Sequence, residues 1–131
     1  MDFAFPWPMS NGEWGAFGSA VVTILIGLLF FLAPRLGLRM LRLQPIPEKP
    51  EAVSEGRSSL SGFYLSVGVC CILLAQPLLY MTLGFAWLIV VFGRLLAMMS
   101  DNANTPYNWA ATILELVLAG LPLAFAFGFL P

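Results

Sequence analysis

Two charged residues inside long apolar stretches, Arg94 and Glu115, have the clearest chemical potential in this sequence. A charge in the hydrocarbon region of a bilayer costs between about 3 and more than 10 kcal/mol, so it normally faces protein or a water-filled cavity. The two apolar stretches are joined by the short polar loop Ser100–Asn104, which makes them antiparallel neighbours. Because helical side chains lean toward the N-terminus of their own helix, the two charges lean toward each other. The sequence therefore predicts a buried ion pair between Arg94 and Glu115 in the cytoplasmic half of a bundle.

Two kinds of role are open for this pair. It is either an internal ion pair that fixes the packing of the last two helices, or part of a proton or anion pathway or a clamp on a ligand headgroup. A pathway needs further polar residues in line, and the candidates for it are few: Tyr64, Ser66, Thr112 and Arg57. Their scarcity favours the packing role.

Catalytic and metal-binding chemistry have little support. The chain has no His, so the commonest metal ligand and the commonest general base are both absent. Cys70 and Cys71 are adjacent, too close for an ordinary unstrained disulfide, and are predicted to be small apolar core residues. No zinc-ligand spacing, phosphate-binding glycine loop or Ser–His–Asp set is present. We predict a protein that is not an enzyme and that binds no metal, cofactor or nucleic acid.

Composition defines the elements that must position these residues. Of 131 residues, 60% are hydrophobic and 10% are charged, against about 25% charged residues in a soluble domain. Since one membrane crossing takes about 20 apolar residues, the length allows four spans. The sequence predicts an all-α membrane protein with one domain over 1–131, an antiparallel bundle of four transmembrane helices. The predicted spans are about 14–33, 60–75, 78–99 and 107–129.

The charges outside these spans predict a topology. Five of the six basic residues lie in the connection 34–57: Arg35, Arg39, Arg42, Lys49 and Arg57. The positive-inside rule places this connection in the cytoplasm, so that both termini lie outside, with the aromatic segment Met1–Gly12 at the outer interface. Three of its arginines (35, 39 and 42) recur at helical spacing, which predicts an amphipathic helical turn or two continuing to Leu43. These arginines either contact anionic lipid or an acidic partner, or only set the topology.

Prolines, serines and small residues predict where the helices end and touch. Pro34 is expected to end or kink the first span, Thr105–Pro106 to cap the fourth, and Gln76–Pro77 to join spans two and three in a tight hairpin. The Pro- and Glu-rich stretch 44–56 is predicted to be an extended linker, followed by N-caps at Ser58 and Ser59. Small-residue pairs that allow close helix approach are Gly62 with Ser66, and a stripe of Gly120, Ala124 and Gly128 that faces either the bundle or a partner.

Several short motifs resemble those of a known group of proteins. They are Arg57 and Gly62 at the second span, Phe92–Arg94 in the third, Asp101–Asn102 in the turn, and Leu114–Leu116 in the fourth. With these motifs the chain resembles an uncharacterised family of small four-helix bacterial inner-membrane proteins that is similar to the DoxX-like proteins. The resemblance implies a four-helix bundle and a bacterial origin, and it implies no established activity.

The expected function is that of a non-catalytic accessory or assembly subunit, docked within a larger bacterial membrane complex of respiratory or photosynthetic type. The absence of catalytic residues, the small extramembrane mass and the smooth helix faces favour this reading. The alternative is a small independent transporter, or a membrane protein that binds a lipid or quinone through Arg94 and Glu115.

Overall fold

The computed structural model describes residues 5–129, which contain five helices and no strand. The short one is α2, Pro34–Met40. The four others are long and apolar enough to cross a membrane: α1 Asn11–Leu32, α3 Glu51–Leu74, α4 Pro77–Ser100 and α5 Pro106–Ala126. The expected bounds of the second span, 60–75, cover only part of α3.

The ends of several helices follow from their capping residues. The side chain of Thr105 accepts a hydrogen bond from the backbone N–H of Asn108 at 3.2 Å, and Pro106 is the first residue of α5, as the sequence predicts. The expectation for Pro34 is also confirmed, since α1 ends at Leu32 and Pro34 begins α2. The sequence reading missed the cap of α1, where Ser10 accepts from the N–H of Glu13 at 3.1 Å.

The start of α3 corrects two predictions. The extended linker expected over 44–56 ends early, because helix begins at Glu51 and continues through a π-helical turn over Gly56–Leu60. Ser58 and Ser59 are therefore not N-caps. The hydroxyl of Ser58 instead donates to the carbonyl oxygen of Ser54, one turn earlier, at 2.6 Å, which lets a serine remain inside a helix.

The end of α2 corrects a third prediction. The helix stops at Met40, so the expected amphipathic helix does not continue to Leu43. Arg42 adopts a left-handed backbone conformation with φ 62°, and the N–H of Leu43 bonds the carbonyl oxygen of Leu38 at 2.8 Å. This pattern is a Schellman motif, in which the left-handed position is usually glycine.

The long helices pack as two close pairs, α1 with α3 and α4 with α5, and α1 also packs against α5. Glycines lie at the points where two helices approach each other most closely. A Cβ atom added at Gly68 would lie 3.1 Å from the carbonyl oxygen of Ala20, and one at Gly84 would lie 3.0 Å from that of Ala119. Gly62 has open space around it, so the predicted close approach at Gly62 is wrong.

Helices α3 and α4 share few contacts, although only Ala75 and Gln76 separate them. Ala75 makes the turn in a left-handed conformation with φ 49°, and the Cys71 thiol donates to the carbonyl oxygen of Leu79 across it at 3.3 Å. The predicted tight hairpin is correct at the turn and wrong along the helices.

A chain of hydrogen bonds crosses the core between three helices. The indole N–H of Trp87 donates to the hydroxyl of Thr23 at 3.0 Å, and that hydroxyl donates to the carbonyl oxygen of Ser19 at 2.9 Å. The Ser19 hydroxyl then donates to the carbonyl oxygen of Leu118 at 2.6 Å. These bonds connect α4, α1 and α5 with every donor satisfied.

Two further expectations have mixed outcomes. Cys71 is fully buried as predicted, whereas Cys70 is exposed, and both thiols are free. Part of the predicted aromatic N-terminal segment, residues 1–4, lies outside the described residues. In the described part of that region, Trp7 and Trp14 are exposed.

Candidate functional site

The structure brings Arg94 of α4 and Glu115 of α5 together. Nη2 of Arg94 lies 2.6 Å from Oε1 of Glu115, and Nε donates to both carboxylate oxygens at 3.1 and 3.0 Å. The Glu115 side chain is 8% exposed and that of Arg94 is 21% exposed. This is the only salt bridge among residues 5–129. The cation is thus partly exposed, while its carboxylate partner is buried.

Asn108 completes this cluster and was missed by the sequence reading. Its Oδ1 accepts from Nη1 of Arg94 at 2.7 Å, and its Nδ2 donates to the carbonyl oxygen of Ala103 at 2.7 Å. Asn108 precedes Glu115 by seven residues, a spacing that puts both on one face of a helix. This seven-residue spacing could therefore have identified Asn108 from the sequence as a neighbour of the ion pair. Asn108 links the ion pair to the loop that precedes α5.

A cavity of about 390 Å³ adjoins the ion pair, and all five helices contribute to its wall. Its aromatic and polar lining consists of Phe30, Tyr64, Trp87, Arg94, Tyr107 and Glu115, and the remaining lining residues are apolar. Small-molecule sites typically occupy about 300 to 1,000 Å³ and have apolar walls with a few polar groups. The cavity has the size and chemistry of such a site.

Two neighbouring cavities extend this space in different directions. One of about 170 Å³ lies between α3 and α4 and shares Tyr64, Trp87 and Val90 with the central cavity. The other, of about 470 Å³, shares Arg94 and Tyr107 with it and is bordered by the start of α5. We call them the lateral cavity and the outer cavity. The three form a row that runs from the α3–α4 gap past the ion pair.

The residues proposed for a polar pathway do not assemble into one. Nε of Arg57 donates to the carbonyl oxygen of Phe31 at 2.9 Å, and Ser66 is exposed. The hydroxyl of Thr112 donates to the carbonyl oxygen of Asn108, within its own helix, at 2.7 Å. Tyr64 is the only one of the four candidates that lines the central cavity.

The three arginines that follow α1 have different surroundings. All three, Arg35, Arg39 and Arg42, are exposed. The guanidinium of Arg42 lies over the Tyr107 ring, 4.9 Å from its centroid, and lines the outer cavity. The Tyr107 hydroxyl donates to the carbonyl oxygen of Met40 at 2.8 Å. Of the three, Arg42 alone is brought to the ion-pair site.

The predicted stripe of small residues is not continuous. Gly128 lies beyond the end of α5 with φ 82°, and the N–H of Phe129 bonds the carbonyl oxygen of Ala124 at 2.8 Å. Gly128 is therefore the left-handed residue of a second Schellman motif and lies beyond the helix that carries Gly120 and Ala124; a packing or partner face formed by these residues stays a prediction. Gly120 is exposed, with no atom within 4 Å of an added Cβ, whereas Ala124 is half-buried.

The comparisons identify a family. Residues 14–126 match the family described as a domain of unknown function, DUF4345. The chain belongs to this family. The DUF4345 match extends from α1 to the last residue of α5 and includes Arg42, Arg94, Asn108 and Glu115. No curated protein and no solved structure matches the chain. The resemblance to DoxX-like proteins is not tested by this match and stays a prediction.

The described residues offer little to a metal ion. Within 5–129, no group of three or more Cys, Asp or Glu side chains lies close enough to hold one. The chemistry available at the site is therefore hydrogen bonding and charge from Arg94, Glu115 and Asn108, next to an apolar and aromatic wall. Such a site can bind and orient a molecule that has one polar end.

Proposed function

We propose that this DUF4345 protein is a multi-pass membrane protein that binds an amphipathic small molecule, of lipid or quinone type, beside Arg94 and Glu115. The observation that carries the proposal is the cavity of about 390 Å³, which combines an apolar wall with a single ion pair. An ion pair that served packing alone would need no such space beside it.

The proposed setting is a bacterial inner membrane, with the four long helices in an antiparallel bundle and both termini periplasmic. Contacts between α1 and α5 support an antiparallel arrangement of these two helices. Gly15 lies near Leu121 and Ser19 bonds Leu118, so residue numbers rise along α1 as they fall along α5. Large apolar side chains on the outside support contact with lipid, for example Ile89 at 71% exposure and Ile113 at 63%. The basic connection between α1 and α3 supports its cytoplasmic placement.

The ion-pair cluster has hydrogen-bonding capacity left for a ligand. A guanidinium carries five N–H donors, and three of those on Arg94 bond Glu115 and Asn108. Two donors therefore remain for a carbonyl, hydroxyl or charged oxygen. The Tyr64 hydroxyl, which makes no hydrogen bond within the described part of the chain, offers a further contact from the cavity wall.

The gap between α3 and α4 provides a route for the apolar part of the ligand. These helices share few contacts, and the lateral cavity between them shares Tyr64 and Trp87 with the central one. A hydrocarbon chain in this gap would lie between an apolar wall and the lipid of the bilayer. Entry from the membrane then requires no passage through water.

A cavity-filling substitution tests the proposal. Ala111 is half-buried and lines the central cavity, so Ala111→Phe should exclude the ligand. Val117→Phe is the matched control, because Val117 is on the same helix, is 51% exposed and lines none of the three cavities. We expect native mass spectrometry of purified protein to show a retained lipid or quinone in the wild type and in Val117→Phe, with little in Ala111→Phe. Equal retention in all three proteins, or none in the wild type, contradicts the proposal.

The accessory-subunit function remains a second proposal. The observation that favours it is the open space beside Gly120, where the backbone of α5 could be approached closely by a helix of another protein. Purification in mild detergent tests it directly. Co-migration with a defined larger membrane complex would support the proposal, and migration of the protein alone would contradict it.

A further inference from the structure

We propose that the outer cavity binds the anionic group of the amphiphile, a phosphate or a carboxylate, next to Arg42. This inference rests on the proposed function, since it assigns the apolar part of the same molecule to the central cavity. It adds a second binding region and a charge for the ligand.

The charge balance of the outer cavity favours an anion. Two guanidinium groups line it, those of Arg42 and Arg94, and no carboxylate does. The charge of Arg94 is matched by Glu115, 2.6 Å away on the side of the central cavity. Arg42 has no carboxylate within 4.0 Å in the described part of the chain. Because Arg42 is also exposed, its positive charge is open to solvent and to an anionic ligand that enters the outer cavity.

The position of Arg42 suits this role. Its guanidinium lies over the Tyr107 ring, 4.9 Å from the ring centroid, and an arginine in a cation–π contact can still donate hydrogen bonds through its N–H groups. The Tyr107 ring is itself fixed by the bond from its hydroxyl to the carbonyl oxygen of Met40 at 2.8 Å. The Arg42 backbone is fixed by its bond to the carbonyl oxygen of Arg39 at 3.0 Å. The donors are thus presented before a ligand arrives.

The remaining lining residues add uncharged polar groups. Thr105 and Asn108 border the outer cavity together with Tyr107. Arg94 and Tyr107 belong to the walls of both the outer and the central cavity. A single molecule can therefore place an anionic group against Arg42 and hydrocarbon against the apolar wall, with Arg94 and its ion pair at the junction.

The test uses two lipids that differ in one phosphate. Purified full-length protein is titrated with dioleoyl phosphatidic acid and with dioleoylglycerol, and binding is followed by native mass spectrometry. We expect phosphatidic acid to bind at least about tenfold more tightly, because hydrogen bonds to charged groups are the strong ones. Arg42→Gln should remove that preference and leave dioleoylglycerol binding unchanged, and Arg42→Lys should restore part of it.

Two further variants separate the side chain from the fold. Arg42→Gly removes the guanidinium and suits the left-handed backbone at this position, so it should behave like Arg42→Gln in a folded protein. Arg39→Gln is the matched control, since Arg39 is an exposed arginine of α2 outside the outer cavity, and it should keep the preference. A preference that survives both Arg42→Gln and Arg42→Gly overturns the inference.

The outcomes also distinguish the inference from the proposed function. If neither lipid binds, the amphiphile site itself is wrong, and this inference fails with it. If both lipids bind equally in the wild type, the proposed function stands and the anionic subsite is overturned. Inorganic phosphate is the third probe. Weak competition by phosphate supports an amphiphile, and competition as strong as that of phosphatidic acid overturns the link to the central cavity.

Discussion

Removal of one member of the Arg94–Glu115 pair is the most informative test of the site. Breaking a buried ion pair typically costs about 3–5 kcal/mol, because the other charge is left without compensation. In Glu115→Gln the remaining cation, Arg94, is partly exposed, with 21% of its side chain accessible, and keeps its hydrogen bond to Asn108. We therefore expect the lower end of the range, about 3 kcal/mol.

The opposite substitution should cost more. In Arg94→Leu the remaining group is a carboxylate whose side chain is 8% exposed and which loses every bond from the guanidinium. We expect a loss near the upper end, about 5 kcal/mol. Combining Arg94→Leu with Glu115→Gln should recover part of the loss, since no buried charge remains. The order of the two single variants is a prediction specific to this geometry.

Unfolding by SDS in detergent micelles, followed by tryptophan fluorescence, measures these free energies. Glu55→Gln is the control, because Glu55 is an exposed acid outside the three cavities, and it should change stability by less than about 0.5 kcal/mol. A coupling energy below about 0.5 kcal/mol between the two sites would mean that they act independently. That result would refute the ion pair.

Two further predictions concern the helix contacts. Thr23→Val should lower the free energy of unfolding by about 1–3 kcal/mol, because it leaves the Trp87 indole N–H without an acceptor. Thr82→Val should have little effect, since the exposed Thr82 hydroxyl bonds only its own helix. Equal losses in the two variants would contradict the hydrogen-bond chain. Gly84→Ala should cost about 1–3 kcal/mol, because the added carbon meets the Leu123 side chain and the carbonyl oxygen of Ala119. Gly93→Ala, in open space, should be neutral or stabilising by about 0.5–1 kcal/mol. Both pairs can be measured in the same SDS titration, and a tolerated Gly84→Ala would show that α4 and α5 are not in close contact there.

The sequence was sufficient where a local rule determines the structure. Prolines determine the breaks at Pro34 and Pro77, and a polar residue before proline determines the start of α5 at Thr105–Pro106. The approach of Arg94 and Glu115 follows from a short loop and from the lean of helical side chains, two properties that do not depend on the rest of the fold.

The rotation of each helix about its own axis could not be read in the same way. In a soluble helix, polar residues mark the outer face, but here both faces are apolar, so the sequence does not show which glycines touch a neighbour. The sequence pattern indicated Gly62 and Gly120, which have open space within the described residues, and did not indicate Gly68 and Gly84, which pack against neighbouring helices.

The cavities also could not be predicted from local sequence patterns, because they depend on how far α3 and α4 diverge after a two-residue turn. The position of Arg42, apart from Arg35 and Arg39, was hidden for another reason. Its helical spacing from Arg35 and Arg39 indicated a continuous helix, whereas a left-handed residue ends that helix and directs Arg42 toward Tyr107.

Arg94 and Glu115 belong to consecutive apolar helices, separated by a single short loop, and in the proposed membrane setting this has a consequence for biosynthesis. As a chain enters a bilayer, each lone charge opposes insertion. Here Arg94 and Glu115 can neutralise one another within the last hairpin, α4 and α5, before the earlier helices dock. The bond between Ser19 and Leu118, which joins residues at opposite ends of the chain, needs α1 as well as α5. In the proposed membrane setting, insertion of the charged hairpin and assembly of the central cavity therefore depend on different contacts, and a defect in one need not be a defect in the other.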